Sequence, residues 1–292
     1  MQKNYGYILG YSTVYLDGRR SKIRKEETNL GNLTADSMLW YASQLTRENI
    51  QIALQNSGGI RTDMGTSKFL DGFSEAVLLP PYAYRGTKIL EGGITEGHIR
   101  ATLTYDNGLV VLTVTASELK DLLESGVSAS GPGLTAGRFP QIAGMRFSFD
   151  TTKTPKSEFG NGQRIQTLEI VNRNGRILDT LVENGILQGN PNRTFKMVTL
   201  NYLANGGDYY PFLELSSPSR LNLYEGRGYG DKADFPNADL RNDPGLNSDF
   251  SCTGCQQDAL AEYLLVFHSH PDLAFSEEET PASTDTRIQM TR

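Results

Sequence analysis

The segment LVVLTVTASELKDLLESGV, residues 109–127, joins a strand pattern to a helix pattern through a capping signal. Its first seven residues are β-branched or aliphatic, as is typical of a buried strand. Thr115 and Glu118 follow with the spacing of a capping box, and leucines then recur at helical spacing. The segment therefore predicts a strand that leads directly into a helix, which favours a fold that packs helices on a sheet.

Other strand and helix patterns surround this unit without strict alternation. Apolar residues from Leu30 to Leu45 lie at helical spacing and predict a helix that begins near Asn29. The stretch IQIALQ alternates with period 2 and runs into the glycine loop NSGG, so it predicts a strand. Further strands are predicted in MRFSFD, RIQTLEIV and TFKMVTLN. This irregular order favours a mixed sheet in an α/β fold over a doubly wound parallel sheet.

The chain shows no fixed-period repeat and no low-complexity linker over its 292 residues. The simpler interpretation is one domain over 1–292. Residues 62–92 contain a Pro-Pro pair and end at the Gly-Gly pair 92–93, with little periodicity, so we interpret them as an insertion. Residues 226–256 are rich in Gly, Asp, Asn and Pro and predict a long loop.

The charge balance limits the partners of this chain. Lys and Arg number 28 against 34 Asp and Glu, for a net charge of −6 and a pI near 5.2. This argues against a sequence-independent nucleic-acid binder, which needs a broad basic surface. No apolar run is long enough to predict a membrane span, and the polar start MQKNYGYILGYS does not predict a signal peptide.

Cys252 and Cys255 are spaced C-x-x-C in the turn-rich stretch NSDFSCTGC. A short disulfide and two free thiols both remain open. The stretch lacks the preceding strand and the opening helix that favour a redox pair. A zinc site with His268 and His270 is disfavoured because H-x-H is tighter than the usual ligand spacing.

Two arginines are candidates for binding an anion. Arg61 ends the glycine loop NSGGIR, and Arg24 lies in the basic stretch before the first predicted helix. Guanidinium groups bind phosphate through charge-assisted bidentate hydrogen bonds. NSGGIR is not a P-loop, because it lacks the terminal G-K-[ST]. Each arginine taken singly is more often a solvated surface charge.

Tyrosines and an aspartate follow two of the predicted strands. Tyr105 and Tyr202 could hold a base between their rings, although a single tyrosine more often packs in a half-buried position. Asp208 follows a Gly-Gly pair in NYLANGGDYY. Its carboxylate could accept two sugar hydroxyls, and a turn-capping role is equally open.

Five stretches, in this order, resemble the C-terminal domain of the 5′-nucleotidase family: RKEETNLGNLTADSML, LQNSGGIR, ITEGHIRATLTYDNGLVVLTVTASELKDLLE, GRFPQIAGMRFSFD and TLNYLANGGDYYPF. They extend over about residues 20 to 215, and the tail sequence DTRI resembles the family's closing strand. The resemblance implies a layered α/β/β/α sandwich with mixed sheets. It also implies a nucleotide or nucleoside ligand.

The resemblance implies the substrate-binding residues Arg24, Asn56, Gly58, Gly59, Arg61, Tyr105, Asn107, Tyr202, Gly207 and Asp208. In the family pattern, Arg24 and Arg61 resemble the pair that contacts phosphate and ribose. Asn56 resembles an asparagine that bonds near the base, and Asp208 resembles the ribose-binding aspartate.

The chain departs from the family pattern at both aromatic positions. Tyr105 and Tyr202 replace the usual phenylalanines, and T-Y-D-N replaces P-F-G-N. Tyrosine keeps the ring face but adds a hydroxyl that needs a partner. With residues 62–92 expected next to the pocket, these changes leave the base preference open.

Catalysis in this family belongs to an N-terminal metallophosphoesterase domain that holds two divalent metal ions. This chain has three histidines, His98, His268 and His270, and it lacks D-x-H and G-N-H-[DE] motifs. We therefore expect no cofactor and no catalytic residues in this chain, which should be inactive alone. Its expected partner is the metal-binding N-terminal domain of the same parent chain.

Three alternatives remain open. The chain could be a stand-alone nucleotide or nucleoside module without catalysis. It could serve a hydrolase of nucleotide sugars, cyclic nucleotides or sulfur-containing substrates, as relatives of this family do. It could also be a surface or scaffold protein with a degenerate pocket. The resemblance implies an extracellular or periplasmic location.

Overall fold

The computed structural model describes residues 7–69, 75–85, 88–157, 160–216, 219–224, 236–244, 250–276 and 286–292. The helices are α1 (Arg20–Ile23), α2 (Asn29–Thr46), α3 (Glu96–Thr102), α4 (Ala116–Gly126), α5 (Asn201–Ala204) and α6 (Gln256–Phe267). The strands are β1 (Ile8–Tyr11), β2 (Ile52–Asn56), β3 (Thr66–Lys68), β4 (Val77–Leu79), β5 (Tyr82–Arg85), β6 (Lys88–Glu91), β7 (Gly93–Thr95), β8 (Leu109–Thr115), β9 (Pro140–Ala143), β10 (Met145–Phe149), β11 (Ile165–Val171), β12 (Ile177–Glu183), β13 (Ile186–Leu187), β14 (Thr194–Leu200), β15 (Leu221–Asn222) and β16 (Ile288–Met290).

Two five-stranded sheets form the centre of the fold. The first has the order β15-β8-β14-β2-β9 and the second has the order β13-β12-β11-β10-β16. Each sheet contains one parallel pair, β14 with β2 and β10 with β16, among antiparallel pairs. The prediction of mixed sheets is therefore confirmed, and the tail forms the edge strand β16.

The sheets and helices pack as an α/β sandwich. Helix α2 packs on β2, β9 and β14, helix α6 packs against α2, and helix α4 contacts both β8 and β11. Buried side chains from both sheets form one hydrophobic core, which includes Leu54, Val111, Phe147, Leu168 and Met197. Burial of this apolar surface provides the main driving force for folding.

Gly144 joins the two sheets at the turn between β9 and β10. Its φ is +73°, in the left-handed region that favours glycine. A Cβ atom added there would lie 2.0 Å from the carbonyl oxygen of Gln51. The chain can therefore pass from one sheet to the other at this position only without a side chain.

The predicted helix boundaries are confirmed. Helix α2 begins at Asn29, where Thr28 accepts a hydrogen bond from the amide of Gly31. At α4, the Thr115 hydroxyl accepts from the Glu118 amide at 3.2 Å, and the Glu118 carboxylate accepts from the Thr115 amide at 2.8 Å. This is the capping box that the sequence predicts.

The strand predicted in IQIALQ forms as β2, but its polar position does not face solvent. Gln55 is fully buried, and its Nε2 donates to the hydroxyl of Thr34. Its Oε1 accepts from Nε2 of Gln256 at 2.6 Å. Because β2 is central in its sheet and α2 covers it, a polar side chain there needs buried partners.

Residues 62–92 contain small antiparallel pairs in their described parts. Strand β3 pairs with β4, and β5 pairs with β6. Of the predicted loop 226–256, residues 226–235 and 245–249 lie outside the described residues. The rest holds only two isolated bridges, at Asn237 and Cys255, a short 3₁₀ turn and the first residue of α6. No helix in the described ranges is long and apolar enough to cross a membrane.

Candidate functional site

A cavity of about 550 Å³ opens at one edge of the first sheet. Strands β2 and β14 are parallel, so their carboxyl ends meet there. Strand β8 is antiparallel to β14, with Leu109 opposite Leu200, so its start lies at the same edge. Loops that leave β2 and β14 and the loop that enters β8 therefore converge, as expected where ligands bind at strand ends.

The cavity contains nine of the ten predicted residues. It is lined by Arg24, Asn56, Gly58, Gly59, Arg61, Tyr105, Asn107, Gly137, Asn201, Tyr202 and Asp208. Sequence reasoning missed Gly137 and Asn201. Gly137 opens the stretch GRFP and carries no chemical signal of its own, whereas Asn201 is an amide directly after a strand and could have been noted. The tenth predicted residue, Gly207, does not line the cavity.

Asp208 is held in place by two side chains of the cavity. Nδ2 of Asn56 donates to one carboxylate oxygen at 2.6 Å, and the hydroxyl of Tyr202 donates to the other at 3.0 Å. Gly206 has φ +86° and Asp208 has φ +53°, so the loop turns sharply between the two. Each carboxylate oxygen can accept more than one hydrogen bond, so Asp208 can still accept hydroxyls from a ligand.

Asn56 has a positioning contact that the resemblance does not imply. It is 4% exposed, and its amide nitrogen binds Asp208. Its Oδ1 is buried and has no hydrogen-bond partner within the described part of the chain. In this structure the side-chain amide of Asn56 therefore binds the Asp208 carboxylate directly.

Gly207 provides the space for the ring of Tyr202. A Cβ atom at this position would lie 2.5 Å from the Tyr202 carbonyl oxygen and 2.6 Å from Cζ of its ring. These distances are far inside van der Waals contact, which lies at about 3.5 Å or more for carbon atoms. Any side chain at Gly207 must therefore displace Tyr202.

We expect Gly207→Ala to displace the Tyr202 ring and thereby to weaken AMP binding by about tenfold, as predicted for the loss of a base–aromatic contact of about 1–3 kcal/mol. Titration calorimetry with AMP measures the effect. Gly175→Ala is the matched control, since Gly175 also lies in a turn but has open space around it and φ +74°. It should cost stability through backbone strain and leave the affinity unchanged. Equal affinities for the two variants would contradict the packing role of Gly207.

Tyr105 and Tyr202 both present ring surface to the cavity. Tyr105 is 62% exposed and Tyr202 is 44% exposed. Burial, and then the negative charge of Asp208, raise the pKa of Tyr202, so its phenol remains a neutral donor. Two accessible aromatic faces at one cavity provide stacking surfaces for a planar ligand.

The two predicted arginines bring positive charge to the same cavity. Burial lowers the pKa of Arg24, and the charges of Arg20 and Arg61 lower it further. Arg61 donates to the Gly58 carbonyl at 3.1 Å and lies 5.6 Å from the ring centre of Tyr105. Within the described ranges, neither Arg24 nor Arg61 forms a salt bridge. An anionic ligand would relieve the charge repulsion between Arg24 and Arg61.

Two clusters of potential metal ligands occur among the described residues. The groups that approach one another are Asp106 with the Cys252–Cys255 pair, and Asp243 with Asp258 and Glu262. Neither contains a histidine, and the cysteines are joined as a disulfide. Of the two alternatives for the cysteines, the disulfide is the one that forms.

Comparison with known proteins identifies the family of this chain. The family 5′-nucleotidase, C-terminal domain, matches residues 8–214. The trifunctional nucleotide phosphoesterase protein YfkN of Bacillus subtilis is 30% identical over 218 residues, which are 74% of this chain and 12% of that protein. The snake venom 5′-nucleotidase of Macrovipera lebetinus is 25% identical over 73% of this chain and 45% of its own length.

A solved structure shows the same fold. The 5′-nucleotidase precursor of Thermus thermophilus is 26% identical and superposes with a TM-score of 0.61 over 97% of this chain and 39% of that one. The chain therefore spans less than half of each of these relatives. With the matched family and the shared fold, the chain belongs to the 5′-nucleotidase C-terminal domain family.

Proposed function

We propose that this chain is the nucleotide-recognition domain of a secreted 5′-nucleotidase-like phosphoester hydrolase. One cavity combines two arginines without salt bridges among the described residues, one carboxylate and two exposed aromatic rings. These groups match the three parts of a nucleotide: the phosphate, the ribose and the base. This combination is the observation that carries the proposal.

The bound ligand would use each group for a separate task. The base stacks between Tyr105 and Tyr202, and the ribose hydroxyls donate to Asp208. The phosphate lies toward Arg24 and Arg61, where the guanidinium groups offer charge-assisted hydrogen bonds. Asn56 acts through Asp208, because it orients the carboxylate that receives the sugar.

Hydrolysis would take place on a second domain of the parent protein. This proposal rests on the small share of each relative that the chain covers. The metallophosphoesterase domain would hold two divalent metal ions, which activate water and polarise the phosphoryl group. This chain would bind the nucleoside and present the phosphate at the mouth of the cavity. An extracellular or periplasmic location is supported by the disulfide and by similarity to a venom enzyme.

Calorimetry with AMP, adenosine and inorganic phosphate tests the proposal. We expect AMP to bind with a Kd in the micromolar to millimolar range, on the order of −4 to −8 kcal/mol, and adenosine to bind more weakly because it lacks the arginine contacts. The chain alone should not hydrolyse AMP with added divalent metals. Failure of every purine and pyrimidine nucleotide to bind would overturn the proposal, and metal-dependent turnover would contradict the role of the second domain.

Tyr202→Ala should weaken AMP binding by about 1–3 kcal/mol, because it removes one stacking surface. Tyr202→Phe is the matched variant. It keeps the ring and loses only the hydroxyl that donates to Asp208, so its loss should be smaller, about 0.5–1.5 kcal/mol. If both variants bind AMP with the affinity of the parent chain, the ring does not stack on the base.

A further inference from the structure

The Cys252–Cys255 disulfide lies at the start of a helix. Helix α6 begins at Gln256, directly after Cys255, whose carbonyl accepts from the amide of Ala259 at 3.0 Å. The turn-rich sequence around the pair did not predict this helix opening. A helix N-terminus stabilises negative charge, so the thiolate of Cys255 is more stable than the thiolate of an ordinary cysteine.

The two cysteines differ in access to solvent. Cys252 is exposed, whereas Cys255 is 3% exposed. An incoming thiolate can therefore reach Cys252 and not Cys255. Thiol–disulfide exchange requires attack on one sulfur and departure of the other. The structure thus distinguishes an attacked sulfur, Cys252, from a leaving sulfur, Cys255.

A partly buried carboxyl group lies beside both sulfurs. A carboxylate oxygen of Asp106 is within 4.8 Å of Sγ of Cys252 and of Cys255. The Ser251 hydroxyl donates to both of its oxygens, at 3.0 and 2.8 Å, and the Gln257 amide donates to one at 3.0 Å. Burial raises the pKa of Asp106, although these two donors and the charge of Arg100 act against that rise. A proton on Asp106 is therefore easier to keep than on an exposed aspartate.

We propose that Cys252–Cys255 is a thiol–disulfide exchange site for an external dithiol, with Asp106 as the proton donor to the departing sulfur. In the first step, a thiolate of the dithiol bonds to Sγ of Cys252, the Cys252–Cys255 bond breaks, and Cys255 leaves with the electron pair and receives a proton from Asp106. In the second step, the other sulfur of the reagent loses its proton to water and bonds as a thiolate to the reagent sulfur of the mixed disulfide. The bond to Cys252 breaks, and Cys252 leaves with the electron pair and takes a proton from water. The protein disulfide is reduced by two electrons and the dithiol is oxidised to a disulfide.

The same groups serve the reverse reaction. With the pair reduced, the Asp106 carboxylate takes the proton from Cys255. The resulting thiolate then attacks Sγ of Cys252 in the mixed disulfide that Cys252 forms with an external disulfide, which restores the Cys252–Cys255 bond and releases the external sulfur as a thiolate. Arg100 is the cation that acts on Asp106, and it is itself paired with Glu96 at 2.5 Å.

The test follows reduction of the oxidised chain by dithiothreitol, with maleimide quenching and mass spectrometry. Trp40 fluorescence, recorded in parallel, reports whether the chain stays folded. We expect reduction of the folded chain, and at pH values below the pKa of Asp106 we expect Asp106→Asn to slow it by about tenfold or more, since general acid catalysis is lost. Asparagine tolerates the left-handed conformation of this residue, φ +45°, better than other replacements.

The pH dependence separates proton donation from a merely structural role. The ratio of the parent rate to the Asp106→Asn rate cancels the ionisation of dithiothreitol itself. This ratio should be largest at low pH and fall as pH rises through the pKa of Asp106, above which the carboxyl no longer carries a proton. Ser251→Ala is the matched control. It removes a hydrogen bond that lowers the pKa of Asp106 but keeps the carboxyl group. The pH dependence of the rate should therefore persist and shift to higher pH.

Single-cysteine variants identify the attacked sulfur. With glutathione disulfide, the Cys255→Ala variant should form a mixed disulfide at Cys252, whereas Cys252→Ala should leave the buried Cys255 unmodified. Two results would overturn the proposal: reduction that occurs only at the rate of global unfolding, or a rate ratio for Asp106→Asn that stays near one at every pH. None of these measurements depends on nucleotide binding.

Discussion

Asp208→Asn is expected to weaken AMP and adenosine binding by about 3 kcal/mol, roughly 100-fold, because hydrogen bonds to a charged acceptor contribute about 1.5–3 kcal/mol each. The amide keeps the shape of the side chain and tolerates φ +53°. It offers only one acceptor, however, and its NH₂ group would face either Nδ2 of Asn56 or the hydroxyl of Tyr202, which both donate to Asp208. The sugar thereby loses a negatively charged, fixed partner.

Inorganic phosphate distinguishes a local effect from a damaged cavity. Phosphate binding at the arginines should not weaken in the Asp208→Asn variant, because the substitution removes a negative charge that acts on Arg24. Asp272→Asn is the charge-matched control, since the Asp272 side chain is 89% exposed and does not line the cavity. Calorimetric affinities for adenosine that match the parent value would show that Asp208 does not hold the sugar.

Glu124→Ala should lower the free energy of unfolding by about 3–5 kcal/mol, because the loss of a buried charged acceptor leaves its donors unsatisfied. The Glu124 carboxylate is buried in α4 and accepts from the backbone amides of Arg164 at 2.9 Å and Ile165 at 3.0 Å. It also accepts from Lys120 at 3.2 Å. This side chain thus connects α4 to the start of β11 in the second sheet.

Urea denaturation measures this loss as a shift of the midpoint at an unchanged slope. Asp121→Ala is the control on the same helix. Its carboxylate pairs with Lys156 but is 36% exposed, so its removal should cost less than about 1 kcal/mol. Equal midpoints for the two variants would mean that Glu124 does not hold the helix to the sheet.

Local patterns predicted much of the fold. The capping box at Thr115 and the spacing from Leu30 to Leu45 depend on residues within one or two helical turns, so they can be identified in the sequence. The loop from Tyr202 to Asp208 is local as well, since six positions separate the phenol from the carboxylate that it binds. The resemblance placed the remaining site residues on the chain, but it did not relate them to one another in space.

Long-range contacts were not accessible in the same way. The hydrogen bond between Asn56 and Asp208 joins residues 152 positions apart. The buried partners of Gln55 come from α2 and α6, so its polarity did not reveal its burial. Likewise, the opening of α6 after Cys255 was hidden by the turn residues before it. Each depends on which elements pack together, which local periodicity does not encode.

By itself, the sequence determined helices α2 and α4, strands β2, β8, β10, β11 and β14, and their mixed order, because propensity, capping and hydrophobic period act between near neighbours along the chain. Only the tertiary structure decided that β2 and β14 run parallel while β8 runs against them. That pairing brings Asn56, Asn107 and Asn201 to one sheet edge, together with the rings and charges of the cavity. The physical reason is that strand pairing is selected by burial of the whole core, which no single segment contains.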